Sequence, residues 1–202
     1  MAGKATTNGN GRGSDARERL LAAAVTAFAE RGFHGTTTRD IAAAAGMSPA
    51  AVYVHYRSKE ELLEQISRTG HEHTLELIRD AMAASSSPVE QLTGLVRRFV
   101  INHAQSNTTA RVVNYELASL DPASAAGIGE LRREISAEVR ALVEHGVADG
   151  SFDCPQPRIA ATALLSLGID IARWYREDGS WSPEHLGEAY AELALRIVGA
   201  HR

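Results

Sequence analysis

The chain has 202 residues, a hydrophobic fraction of 44% and 5% aromatics, enough to bury a sizeable core in one ordinary domain or two small ones. Its single cysteine, Cys154, excludes an internal disulfide framework, and no run of about 18 apolar residues suggests a membrane span. The formal net charge of −4 argues at first sight against a nucleic-acid partner, but it averages two unlike parts. Residues 1–59 carry eight Lys/Arg against four Asp/Glu, whereas the remaining 143 residues carry 13 against 21. A basic end on an acidic chain is a hint of nucleic-acid binding, though an uneven solvated surface gives the same arithmetic.

Taken in order, residues 1–13 read as a flexible tail of Gly, Asn, Thr and Arg. They lack an apolar signal core, so a cytoplasmic protein is expected. Nearly everything after them reads as helix. Apolar residues recur at three- and four-residue spacing, as in Leu20, Leu21, Ala24, Val25 and Phe28, and again in Leu186, Tyr190, Leu193 and Ile197. Ser14 and Thr37 are plausible caps, and Ser58 with Glu61 fits a capping box. Ser48-Pro49, Ser87-Pro88 and Ser182-Pro183 combine a cap with proline at the first helical position. Glycine and proline breaks then delimit nine helices, approximately 14–31, 38–45, 49–55, 59–83, 88–106, 108–119, 125–149, 157–177 and 183–200.

The second and third of these are short and joined by Gly46-Met47-Ser48. A helix-turn-helix needs this plan: a glycine that ends the first helix in the left-handed conformation, then a cap that starts the second. Ile41, Ala44 and Val52 are spaced to face the core. The exposed side of the second helix offers Pro49, Ala50, Ala51, Tyr53, Val54 and His55. Tyrosine and histidine can donate to phosphate oxygens, and small side chains allow close approach to base edges. Ser58 and Lys59 open the next helix, where free amides and a lysine suit a phosphate.

The run Thr36-Thr37-Thr38-Arg39-Asp40-Ile41-Ala42, the turn Gly46-Met47-Ser48 and the stretch from Val52-Tyr53-Val54-His55-Tyr56 to Ser58-Lys59-Glu60-Glu61-Leu62 resemble the signature of TetR-type (TetR/AcrR) transcriptional regulators. The loose family form is Leu-Tyr-x-His-Phe-x-Ser-Lys-Glu-x-Leu, from which Val52 and Tyr56 are mild departures. Ala27 to Phe33 fits the family's first helix, and the strong match covers approximately residues 14–65.

The resemblance implies an all-α fold, with a three-helix helix-turn-helix head at 14–58 and a helical ligand-binding and dimerisation domain at 59–202. It implies a homodimer paired through the last two helices, operator DNA and a small-molecule effector as partners, no cofactor and no catalysis. Family contact positions carry over onto Thr38, Arg39, Ser48, Pro49, Ala50, Ala51, Tyr53, Val54, His55 and Lys59. Tyr53, His55 and Lys59 suit phosphate positioning, and Arg39 suits a guanine edge. Val54 departs from the larger groups usual in the family.

For the effector site the expected lining is Phe99, His103, Val112, Tyr115, Glu116, Leu120 and Trp174, apolar walls with a few polar groups. Residues 171–179 resemble the C-terminal half of family members that govern fatty-acid or acyl-CoA breakdown. Arg97, Arg98, Arg173 and Arg176 are then candidates to meet phosphates.

An enzyme is disfavoured. There is no Gly-x-Ser-x-Gly elbow and no His-Glu-x-x-His helix, and Gly9 to Gly13 has no preceding strand to make a nucleotide loop. His71 and His73, two apart on a helix, point in different directions and are expected at the exposed surface. A helical adaptor shares the all-helical pattern and differs in having no salt-dependent DNA affinity. Repression and activation are not distinguished by the residues.

Overall fold

The computed structural model describes residues 10–201, all in helices and their connections apart from one isolated bridge between Phe152 and Ala200. The helices are α1 (Asn10–Arg31), α2 (Thr38–Ala44), α3 (Pro49–His55), α4 (Lys59–Ala83), α5 (Pro88–Gln105), α6 (Asn107–Tyr115), α7 (Pro122–Ala148), α8 (Pro157–Trp174) and α9 (Pro183–Ile197). A short 3-10 turn, Leu117–Ser119, follows α6. Residues 1–9 of the expected tail lie outside the described residues, and residues 10–13, assigned to that tail, instead extend α1. Asp121 accepts from the amides of Ala123 and Ser124, which starts α7 at Pro122, three residues before the expected position.

Two apolar clusters organise the chain. The first gathers Leu20, Ala24, Phe28, Ile41, Val52 and Leu62, from α1 to α4. It also takes in Val112 and Val113 from α6, a helix far along the chain. The second is built mainly from α4, α5, α7, α8 and α9, with Ile78, Leu92, Val100, Val143 and Ile171 at its centre. The α6 helix therefore belongs to the head's core although it is threaded through the body. Its crossing with α4 is close: a Cβ added at Gly70 would come within 2.6 Å of Val113 Cγ2.

Local signals set the helix starts. Thr37 and Asp40 cap one another, the Asp40 amide donating to Thr37 Oγ1 at 3.2 Å and the Thr37 amide to Asp40 Oδ2 at 2.9 Å. The Thr37 hydroxyl and amide hold the Asp40 carboxyl below its ordinary range. Ser182 accepts from the His185 amide as expected of a cap. At α4, Ser58 accepts from the Glu61 amide, but the Glu61 carboxylate takes the Arg57 amide, one residue before the box position. Ser87 caps nothing; Ser85 donates to Glu90 instead.

Candidate nucleic-acid interface and effector cavities

The helix-turn-helix is held by its turn. Gly46 has φ of 67°, and the amides of Gly46 and Met47 donate back to Ala43 and Ala42 at 3.0 and 2.8 Å. These two hydrogen bonds close the α2 C-terminus as a Schellman motif, whose positive φ at Gly46 is unfavourable for a residue with Cβ. Arg19 from α1 donates to the Ala45 carbonyl, fastening the same turn to the first helix. Ser48 then accepts from the Ala51 amide at 3.2 Å and starts α3. Val52 and Ile41 are fully buried between the helices; Ala45 is buried where Ala44 was expected, and Ala44 is exposed.

On the outer side, Pro49, Ala50, Tyr53 and Val54 are exposed, Val54 at 78%, and Ala51 and His55 are half-buried. Tyr53 and Val54 are adjacent and exposed, and together they form an unpartnered tip on α3. Tyr53 Oη lies 3.2 Å from Thr38 Oγ1, so the two short helices present one linked polar edge, with exposed Arg39 next to it. Ser48 belongs to this edge while its hydroxyl is engaged as a cap.

Lys59 departs from the expected role. Its ammonium donates to the carbonyls of Phe33 and Thr36 at 2.9 and 3.0 Å and sits 4.3 Å from the Phe33 ring centroid. It clamps the α1–α2 loop rather than facing outward, its ammonium bridging two loop carbonyls, of which that of Phe33 also accepts from the Thr36 amide at 3.3 Å.

Two cavities run through the body. One of about 320 Å³ lies where α1, α4, α5 and α6 meet, with Leu21 and Val25 of the head in its wall. The other, about 160 Å³, lies between α4, α5, α6, α7 and α8 and is lined by Phe99, Ile135, Leu165 and Ile169 among others. Thr74, His103, Val113 and Asn114 line both. His103 is buried, with Nδ1 2.9 Å from the Phe99 carbonyl; a carbonyl only accepts, so Nδ1 carries the proton and Nε2 is left as an acceptor. Burial pushes the His103 pKa below the ordinary imidazole value.

His71 is buried in the body, not at the surface as its sequence setting suggests. Its Nδ1 lies 2.7 Å from the Ser67 carbonyl and its Nε2 3.4 Å from Arg132 Nη1. Burial first, and the Arg132 charge in addition, lower its pKa.

Of the seven expected effector residues, only Phe99 and His103 line these cavities. Val112 is in the head core and Leu120 packs against it. Glu116 accepts from the Phe33 amide at 3.3 Å, and half-exposed Tyr115 donates to Asp170 at 3.4 Å. Trp174 is exposed and stacks edge-on against Trp181, with ring centroids 6.4 Å apart. Glu116 and Leu120 lie beyond the end of α6 at Tyr115, Val112 faces the head core from within that helix, and Tyr115 and Trp174 are the last, exposed residues of α6 and α8.

Three of the four phosphate candidates are engaged by acids. Arg97 pairs with Glu188, Arg173 with Asp170 and Arg176 with Asp178, while Arg98 lines a shallow cleft over α4 and α5.

A head with an unpartnered helix-turn-helix edge, joined through shared core to a hollow helical body, defines a one-component DNA-binding regulator. The family model described as "Bacterial regulatory proteins, tetR family" matches residues 20–66, and "Tetracyclin repressor-like, C-terminal domain" matches residues 85–198. The HTH-type transcriptional repressor KstR2 of Mycolicibacterium smegmatis is 32% identical over 188 residues, 89% of this chain and 88% of that protein. A tetR-family regulatory protein from Rhodococcus RHA1 superposes with a TM-score of 0.87 at 40% identity, covering 93% of this chain and 98% of that one. AibR, solved with isovaleryl coenzyme A and operator DNA, shares the fold, with a TM-score of 0.82 at 21% identity over 92% of this chain and 100% of that one. The chain belongs to the TetR family of transcriptional regulators.

Proposed function

We propose that this protein is an effector-released transcriptional repressor that binds operator DNA as a homodimer in the cytoplasm. Residues 14–58 serve as the DNA-binding head and residues 59–202 as the sensing and dimerising part. The observation that carries the reading is the linked edge of Thr38 and Tyr53, exposed beside Arg39 on a turn that Arg19 and Gly46 hold rigid. Tyr53 and His55 position phosphates, Arg39 reads a base edge, and Pro49, Ala50, Ala51 and Val54 allow close approach to the groove floor. The repressor name carried by KstR2, at 32% identity, supports repression over activation.

Dimerisation uses the unpartnered faces of α8 and α9. Ile159 is 63% exposed and Leu193 44%, and Leu167 and Ile197 join them, whereas Ile171 and Leu186 face the chain's own core. Apolar side chains exposed on neighbouring helices favour a self-complementary two-fold contact. Two heads on one axis then match half-sites about one helical turn apart.

Release follows from the position of α6. An effector in the cavity walled by α1, α4, α5 and α6 pushes on Leu21 and Val25 of the head and on Val113, which the head core shares. It binds better when the heads are displaced, so it shifts the population away from the DNA-competent spacing. The test is fluorescence anisotropy with the DNA upstream of the protein's own gene. Specific, salt-sensitive binding is expected, and binding no tighter than to scrambled DNA would sink the reading.

A further inference from the structure

The cavity of about 320 Å³ between α1, α4, α5 and α6 has no Asp, Glu, Lys or Arg among its described lining residues. Its polar groups are amides, hydroxyls and imidazoles. Gln65, Thr69, His73 and Ser106 are exposed and form its mouth. Deeper in lie His103 and Asn114, with buried Ile66, Ala110 and Val113 around them. A charged effector would have to shed its water here without meeting an opposite charge, which is strongly unfavourable.

The donors in this wall are largely used by the protein itself. Gln65 Nε2 donates to Thr69 Oγ1 at 3.0 Å, Thr74 Oγ1 to the Gly70 carbonyl at 2.9 Å, and Asn114 Nδ2 to the Ala110 carbonyl at 2.9 Å. His103 is only 4% exposed, and its Nδ1–H is taken by the Phe99 carbonyl of its own helix. Nε2, on the far side of the ring, is therefore an acceptor turned away from α5. His71 on α4 shows what such an acceptor receives elsewhere in the body. It is held in the same way on the Ser67 carbonyl, and its Nε2 has a donor, Arg132 Nη1, at 3.4 Å. Among the described residues no protein donor reaches Nε2 of His103, which lines the cavity. Burial keeps this imidazole in the neutral form that carries the lone pair. A buried acceptor is costly to leave unpaired, so a ligand that displaces water from it must bring a donor of its own.

We propose that the effector of this cavity is an uncharged, compact, apolar alcohol, and that His103 determines its specificity. The hydroxyl donates to Nε2, and the hydrocarbon lies against Leu21, Val25, Ile66 and Val113. The volume is near the lower end of the range for ligand cavities, about 300–1,000 Å³, which favours a compact skeleton over a long chain. The inference rests on the reading above that this cavity takes the effector. It departs from the acyl-CoA that residues 171–179 suggest, because a nucleotide head would find no cation in this wall.

Isothermal titration of the full chain with menthol, borneol and decalol tests the assignment. Each alcohol is set beside its ketone, its methyl ether and the carboxylate of the same skeleton. At least one alcohol is expected to bind about fivefold or more tighter than its ketone and its ether, with the carboxylate weakest. Added salt should leave the affinity of the alcohol unchanged. His103→Phe keeps a ring beside Phe99, where the two centroids lie 4.2 Å apart, and removes the acceptor. It should cost that alcohol about fivefold or more and leave the ether within about twofold, and His103→Gln, which returns an acceptor, should recover part of the loss. If the phenylalanine variant does not fold, the ligand series on the parent chain decides alone. The proposal is overturned if none of the alcohols binds, if the ketone or ether binds as tightly, if the carboxylate binds tightest, or if a folded His103→Phe binds the alcohol as the parent does. Operator binding that is released by the carboxylates and not by the alcohols would remove this inference and leave the repressor reading standing. Alcohol binding that depends on His103, with no operator binding, would do the reverse.

Discussion

Replacing Lys59 with methionine separates two jobs that one lysine can do in a DNA-binding head. The ammonium donates to two loop carbonyls, at 2.9 and 3.0 Å, and lies 4.3 Å from the centroid of Phe33. Hydrogen bonds from a charged donor are worth about 1.5–3 kcal/mol each when sheltered, and a partly exposed cation against an aromatic ring adds about 0.5–1 kcal/mol. Lys59 is half-buried, so water replaces part of what is lost, and a total near 2–3 kcal/mol is the appropriate scale. Methionine keeps the apolar stem, which confines the change to the clamp. Urea unfolding should therefore show about 2–3 kcal/mol less stability, with weaker operator binding because Thr38 and Arg39 follow directly on the loosened loop. The discriminating quantity is the salt dependence. Each phosphate contact contributes about 0.9 to the slope of log affinity against log salt, so one lost per head would lower a dimer's slope by about 2. A clamp predicts an unchanged slope. A slope smaller by about 2 with stability intact would mean that Lys59 holds phosphate and that the clamp is incidental.

Three further outcomes follow from the geometry. Gly46→Val should cost at least 1–2 kcal/mol, seen as an earlier denaturation midpoint by circular dichroism, because a β-branched residue must adopt φ of 67° beside Arg19; an unchanged midpoint would contradict the turn assignment. Leu167→Glu together with Leu193→Glu should give a monomer by light scattering that no longer holds operator, whereas a dimer with full affinity would place the interface elsewhere. The buried His71 and His103 have pKa values lowered from 6.5, so the unfolded chain binds more protons than the folded one as pH falls below that value. Their contribution is complete above about pH 7 and is lost as pH falls below 6.5 toward the lowered folded values. Thermal midpoints should thus rise from pH 5 to 7 and then level off, and His103→Gln should flatten the rise; a midpoint that falls over that interval would reverse the assignment.

What could be read from the residues follows the range of the forces involved. Helix starts such as Ser48-Pro49 and Ser182-Pro183 are set within four residues, and the structure places them as expected. The turn at Gly46 is equally local, and it is the feature that made the head recognisable. The role of α6 was hidden, because Val112 and Val113 are buried against residues some 50 to 90 positions earlier, and a short apolar pair does not name its partner. Arginine roles were hidden for the same reason. Arg173 and Arg176 adjoin aromatics in sequence yet meet Asp170 and Asp178.

The threading of α6 through the head's core bears on how such regulators are recombined. A head excised after residue 58 would leave behind Leu62, Leu63 and Ile66 as well as Val112 and Val113, baring the apolar surface they cover. Grafting this DNA specificity onto another sensor therefore means moving two separate pieces of chain, the first 66 residues and the stretch around 112–120, as a matched set. Sensors with a different sixth helix should accept the head's sequence and still misfold it.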